Sequence, residues 1–212
     1  MLGYDLSRPP TAGDGSTVVV LLHGRGSHRG DLQALRPNLP EGWVLVTPQA
    51  PHPGHLWGYG PGWAWYRYGG EDRVEQGGLD WSLGALDRFL AGLPANLGFH
   101  PGRTVLGGFS QGGTMSTAYA VTHPRVLAGA LNFSGMLVDS PAVRPEAPGA
   151  VRTPIFWGHG LRDSAVPHRL AVKGRARLKA AGATLTERDY DIGHWIDPTE
   201  VADAVAFVEA LG

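Results

Sequence analysis

The sequence predicts an α/β fold, with a mostly parallel central sheet and helices on both faces, formed by a single domain spanning residues 1–212. Three observations predict it. Short β-branched and aliphatic runs recur along the whole chain, as expected of strands buried on both faces of a parallel sheet. Segments of helical period or turn composition separate these runs, so strand and helix alternate. No internal repeat, charge run or long linker divides the 212 residues, a length within reach of one α/β unit.

The first strand is predicted at Thr17–Leu22, where Thr-Val-Val-Val-Leu-Leu ends at His23-Gly24. Trp43–Thr47, Arg103–Phe109, Leu127–Ser134, Pro154–His159 and Thr184–Asp191 follow as similar runs. Leu83, Leu86, Leu90 and Leu93 recur at spacings of three and four, which marks one face of a helix. The last helix is announced by Asp197 as N-cap, Pro198 at the first helical position and Glu200 at the third. Val201, Ala204, Val205 and Val208 supply its apolar stripe. Residues 48–78 are dense in Pro, Gly and aromatics, including Trp57, Trp63, Trp65 and Tyr66. A connection that long is expected to serve as a wall of the active site.

Composition excludes several functions. A formal net charge of −1 offers no basic field for a nucleic acid or an anionic membrane. No run approaches 18 apolar residues, and Met1-Leu2-Gly3-Tyr4-Asp5 lacks a signal-peptide pattern, so no stable membrane insertion and a cytoplasmic location are expected. The absence of cysteine removes thiolate nucleophiles, Cys-ligated zinc and disulfides. Gly and Pro make up nearly a quarter of the chain, yet 42% hydrophobic residues argue for a packed core with many tight loops.

Chemistry is expected where the strands run out, because ligands in parallel sheets sit at the carboxyl ends. Gly108-Phe109-Ser110-Gln111-Gly112 fits the Gly-x-Ser-x-Gly elbow, in which a strand turns sharply into a helix with serine at the apex. With 32 glycines in the chain, the pattern alone carries little weight. Its setting supplies the rest: Thr104-Val105-Leu106 reads as a buried strand before it, and Gly113 onward reads as a helix that runs to His123-Pro124. The competing reading is a glycine-rich strand end with a bystander serine.

Acyl transfer needs N–H donors for the oxyanion. The backbone N–H of Gln111, after the nucleophile, is one; that of Arg25, in His23-Gly24-Arg25-Gly26, is assigned as the other. A general base and an orienting acid must follow in the order Ser, Asp, His. His194 lies in the loop between the last strand and the terminal helix. His159 is its rival, but Asp163 follows it too closely for that order. Asp163 lies in a loop after the penultimate strand, whereas Asp189 and Asp191 sit on or at the end of the last strand. A two- or three-residue loop does not readily fold Asp191 back beneath the imidazole. Trp65, Met136, Leu137 and Val166 are candidate substrate-binding residues, with ordinary packing as the competing reading. His52-Pro53-Gly54-His55 lies in a Pro/Gly loop with no His-Glu-x-x-His helix, so no metal site is expected.

Together these motifs resemble the phospholipase/carboxylesterase family of α/β hydrolases, which includes the acyl-protein thioesterases. The resemblance rests on His23-Gly24-Arg25-Gly26, Pro48-Gln49-Ala50-Pro51, Trp65-Tyr66, Gly108-Phe109-Ser110-Gln111-Gly112-Gly113, Ser134-Gly135, Gly158-His159-Gly160 with Asp163 and Val166-Pro167, and Gly193-His194. It implies the α/β-hydrolase fold without a cap domain, Ser110 as nucleophile, Asp163 as acid and His194 as base. It further implies no cofactor and a small-molecule ester or thioester as substrate, and it leaves open a lysophospholipid substrate and pairing into a homodimer. Arg67 departs from the family's usual acid after Trp-Tyr, and Trp195 stands where a smaller or polar residue is common. Asp31 and Leu32 follow an altered lead-in, Ser27-His28-Arg29-Gly30. The other class of function to weigh is a ligand-binding protein that kept the fold and lost catalysis.

Overall fold

The structure, a computed structural model, describes residues 2–71 and 73–211. Its strands are β1 (Tyr4–Ser7), β2 (Thr17–Leu22), β3 (Val44–Pro48), β4 (His52–Pro53), β5 (Trp63–Ala64), β6 (Arg103–Phe109), β7 (Gly129–Phe133), β8 (Ile155–Gly160) and β9 (Leu185–Tyr190). Helices are α1 (Gln76–Ala91), α2 (Leu93–Leu97), α3 (Gln111–Thr122), α4 (His168–Ala180) and α5 (Pro198–Glu209). Seven strands form one sheet in the order β1-β3-β2-β6-β7-β8-β9, with β4 and β5 as a separate pair. Every neighbouring pair in the large sheet is parallel except β1 on β3.

Alternation along the strands sorts the core into two layers. Val18, Val20 and Leu22 join Leu106, Ala130, Ile155 and Trp157 under α1, α3 and α4. Val19, Leu21, Leu45, Val105, Leu131, Phe133 and Phe156 pack beneath α5 and a 3₁₀ helix at Asp31–Asn38. Helices therefore cover both faces. Trp65, Trp157, Tyr66 and Tyr119 are the largest fully buried side chains, each worth roughly 2–3 kcal/mol of apolar burial.

Each predicted strand is present, shifted by no more than two residues at either end. Leu83, Leu86 and Leu90 are buried on α1 as expected, but Leu93 opens the separate helix α2, because Gly92 and Pro94 interrupt the first helix. The α5 N-terminus follows the predicted cap: Asp197 accepts the Thr199 N–H at 2.7 Å, with Pro198 next in the chain. No helix forms between β7 and β8, so the carboxyl edge of the sheet carries no cap there. Among the described residues no helix is long and apolar enough to cross a membrane.

Parallel register aligns the strand ends. Leu22 pairs with Gly108, Phe109 with Phe133, Phe133 with Gly158, and Gly160 with Tyr190. The loops after β2, β6, β8 and β9 therefore emerge side by side.

Candidate active site

Ser110 sits between β6 and α3 with φ 54° and ψ −113°, a backbone conformation that a non-glycine residue adopts only at a cost. Its neighbours make the bend possible. A Cβ on Gly112 would stand 1.9 Å from the Leu22 carbonyl oxygen, and one on Gly108 would stand 2.5 Å from the Gly112 carbonyl carbon. The Ser110 N–H is tied to the Phe133 carbonyl at 2.8 Å, which anchors the apex to β7.

Three side chains predicted from separate loops meet here. Ser110 Oγ lies 2.9 Å from His194 Nε2, and His194 Nδ1 lies 2.6 Å from Asp163 Oδ2. Asp163 Oδ1 accepts the Ala165 and Val166 N–H groups at 2.9 and 2.8 Å. Burial pushes the Asp163 carboxyl up, but the His194 hydrogen bond, the Val166 N–H and the two nearby histidines outweigh it and hold it below its ordinary value. An ionised carboxylate only accepts, so His194 Nδ1 carries the proton and Nε2 is the acceptor that faces Ser110. The Phe109 ring packs 4.7 Å from the imidazole, centroid to centroid.

His159 is fully buried beside the acid. Its Nε2–H donates to the Val166 carbonyl at 2.8 Å, and the same nitrogen is 3.6 Å from Asp163 Oδ2. Burial lowers its pKa below the ordinary histidine value. It packs beneath the acid loop, whereas His194 reaches the serine.

The loop predicted to supply the second oxyanion donor is fixed from three sides. His23 donates through Nδ1 to the Gly24 carbonyl at 2.8 Å and accepts at Nε2 from the Ala50 N–H at 3.1 Å. Burial lowers its pKa to about 4, so the ring is neutral, as both hydrogen bonds require. Trp65 Nε1 donates to the His23 carbonyl at 2.9 Å, and Gly26 N–H donates to the Trp63 carbonyl at 2.8 Å. Neither the Arg25 nor the Gln111 N–H has an acceptor among the described residues.

A cleft opens at Ser110 and His194, about 230 Å³, with Gly24, Arg25, Tyr68, Phe109 and Val166 among its walls. Arg25, Tyr68, Ala165 and Val166 are shared with an adjoining volume of about 390 Å³ that reaches Met136 and Leu170. A larger groove of about 780 Å³ opens elsewhere, at Leu2, Trp63 and Trp81, and holds none of the three polar side chains. The smaller cleft is the candidate site because the serine opens into it.

Of the four predicted substrate-binding residues, Val166 lines this cleft and Met136 lines the adjoining volume. The other two expectations are corrected. Trp65 is fully buried and spends its indole N–H on the His23 carbonyl, while Leu137 packs in the core against Gly174 of α4. Apolar character and proximity to a motif made them candidates, but side-chain direction turned them inward. Tyr68, Phe109 and Ala165 line the cleft without having been singled out. Phe109 adjoins the serine, and Tyr68 falls within the aromatic stretch 48–78, which does form part of the wall. Arg67 lies at the exposed surface 3.8 Å from Glu75, and Trp195 is 54% exposed; neither lines the cleft. His52 packs on Trp57, and among the described residues no group of three potential metal ligands is brought together.

Comparison with known proteins places the fold and the family. Esterase PE8 superposes with a TM-score of 0.82 at 30% identity, covering 100% of this chain and 99% of that one. Acyl-protein thioesterase 2 of Zea mays gives 0.79 at 25% identity, covering all of both chains. Acyl-protein thioesterase 1 of Emericella nidulans is 33% identical over 120 residues, 54% of this chain and 50% of that relative. The chain spans about half the length of such curated relatives in the stretch it matches. The Phospholipase/Carboxylesterase family model matches residues 11–211, from ahead of β2 through the end of α5. An α/β-hydrolase sheet that carries this match over nearly its whole length belongs to the phospholipase/carboxylesterase family.

Proposed function

We propose that this protein is a serine carboxylesterase that hydrolyses small to medium acyl esters through an acyl-enzyme intermediate. The observation that carries the reading is the unbroken line from Ser110 Oγ through His194 to Asp163, with contacts of 2.9 and 2.6 Å.

His194 Nε2 takes the Ser110 proton as Oγ attacks the acyl carbon. The Arg25 and Gln111 N–H groups receive the developing oxyanion, and Asp163 stabilises the imidazolium. The tetrahedral intermediate collapses with cleavage of the acyl C–O bond, and His194 returns the proton to the leaving alcohol. Water then repeats the sequence on the acyl-enzyme, freeing the carboxylic acid and restoring Ser110. The same steps cleave an acyl thioester, and the thioesterases among its relatives make that the second reading.

Ser110→Ala and His194→Ala should each lower kcat on p-nitrophenyl butyrate by a factor on the order of 10⁴ or more. A fluorophosphonate should label the wild type and leave Ser110→Ala unlabelled. Wild-type turnover surviving in either variant would overturn the assignment. A wild type with neither turnover nor labelling would favour a non-catalytic binding protein.

A further inference from the structure

The cleft holds a cation that the hydrolytic steps do not use. Arg25 lines both of its parts, and its guanidinium carbon lies 4.8 Å from the Tyr59 ring centroid and 5.4 Å from that of Tyr68. Other arginines of the fold close on protein acceptors. Arg29 pairs with Asp5, Arg175 with Asp189 and Arg177 with Glu146, and Arg103 donates to two carbonyls at the end of α5. Among the described residues Arg25 makes no ion pair. Stacking occupies the flat face of a guanidinium and leaves its N–H edge free, a fork that matches a carboxylate.

Two of the three acids bordering the cleft are engaged: Glu71 pairs with Arg169, and Asp163 is held by His194 and two amides. Asp31 accepts the Ser27 hydroxyl at 2.7 Å and makes no ion pair among the described residues, nor does it pair with Arg25. Arg25 is thus a cleft-lining cation that no protein carboxylate has taken, and a ligand carboxylate can pair with it. That cation is carried by the residue whose backbone N–H faces the reacting carbonyl in the esterase reading above, on which this inference rests.

We propose that the cleft selects esters bearing a carboxylate close to the scissile carbonyl, such as half-esters of short dicarboxylic acids, and that the Arg25 side chain is the specificity-determining group. A charged substrate gains charge-assisted hydrogen bonds that a neutral isostere lacks, worth roughly tenfold in kcat/KM at a partly exposed site.

Two substrate pairs test this by chromatography of the released acid. Monoethyl succinate is compared with ethyl 4-methylpentanoate, placing the carboxylate in the acyl group. The butyrate ester of 3-hydroxypropanoate is compared with 3-methylbutyl butyrate, placing it in the leaving group. In the wild type, at least one charged ester should exceed its neutral partner about tenfold at low salt, with the advantage shrinking at about 0.5 M salt. Arg25→Met should bring that ratio to one or below, and Arg25→Lys should keep part of it. The ratio is read within each variant, so a general rate loss through the backbone cancels. A wild-type ratio at or below one for both pairs, or a ratio unchanged in Arg25→Met, would overturn the proposal while leaving the esterase reading intact. No turnover of any ester, with no fluorophosphonate labelling, would overturn both.

Discussion

Gln111 is given two tasks with different parts of one residue. Its N–H is an oxyanion donor in the proposed mechanism, while its fully buried side chain accepts the Trp65 N–H at 2.7 Å and donates to the Tyr66 carbonyl at 2.8 Å. Gln111→Ala keeps the backbone donor but strands a buried N–H and a buried carbonyl. The expected cost is about 2–4 kcal/mol of stability, read from urea unfolding. His23 makes a pH-dependent contribution. Its folded pKa of about 4 lies below the ordinary histidine value of 6.5, so the unfolded state binds the extra proton. The stability from this neutral ring is present above about pH 6.5 and is lost as pH falls towards 4, by roughly 3 kcal/mol. Subtracting the pH–stability curve of His23→Gln, which retains an acceptor without the titration, from that of wild type should isolate this slope. Both residues were legible as neighbours of the chemistry, since each stands inside a recognisable motif. Their hydrogen-bond partners were not, because residues 49–50 and 65–66 approach them only in three dimensions.

Elements with a strong local signal were readable from the chain alone. β2 and β6 carry continuous apolar runs, and α5 has a proline-led, acid-capped start. β1 escaped notice because its four residues pair at an edge and alternate only weakly in burial. α4 is rich in Arg and Lys, and its buried face at Leu170, Ala171, Gly174, Arg175 and Leu178 includes an arginine anchored by Asp189 and the Trp157 carbonyl. The elbow between β6 and α3 admits little change. Gly112→Ala places a methyl 1.9 Å from the Leu22 carbonyl oxygen and should prevent accumulation of folded protein, as measured by soluble yield and circular dichroism. At the start of α5, Glu200 is fully buried against Gly158 with no hydrogen-bond partner for either oxygen among the described residues. Burial raises its pKa to about 8 from 4.5, helped by the Asp197 and Asp203 charges and opposed by the Asp197 backbone and Arg175. Here the folded state holds the extra proton, so stability falls as pH rises from about 4.5 to 8. Glu200→Gln should abolish that decline and raise stability at pH 8 and above by a few kcal/mol. A decline as steep as that of wild type would remove Glu200 as its source.

For the molecule as a whole, the proposed mechanism draws on side chains and backbone N–H groups and calls on no metal. Dialysis against a chelator should leave ester turnover unchanged; a loss restored by added metal would redirect attention to His52 and His55. The distance the fold spans is clear from the site itself, where His194 is 84 positions from Ser110 and 31 from Asp163 in the chain.

The sequence by itself determined the alternation of strand and helix, the elbow at Ser110 and the order Ser, Asp, His, because each depends on local composition and on positions along the chain. Tertiary structure decided which side chains reach the cleft. Parallel register brings four strand ends together, and side-chain direction then turns Trp65 and Leu137 into the core while leaving Tyr68, Phe109 and Arg25 at the wall. A hydrophobic pattern specifies that a residue is buried. Whether it is buried by protein or by a substrate depends on what packs against it, and that is a property of the folded molecule.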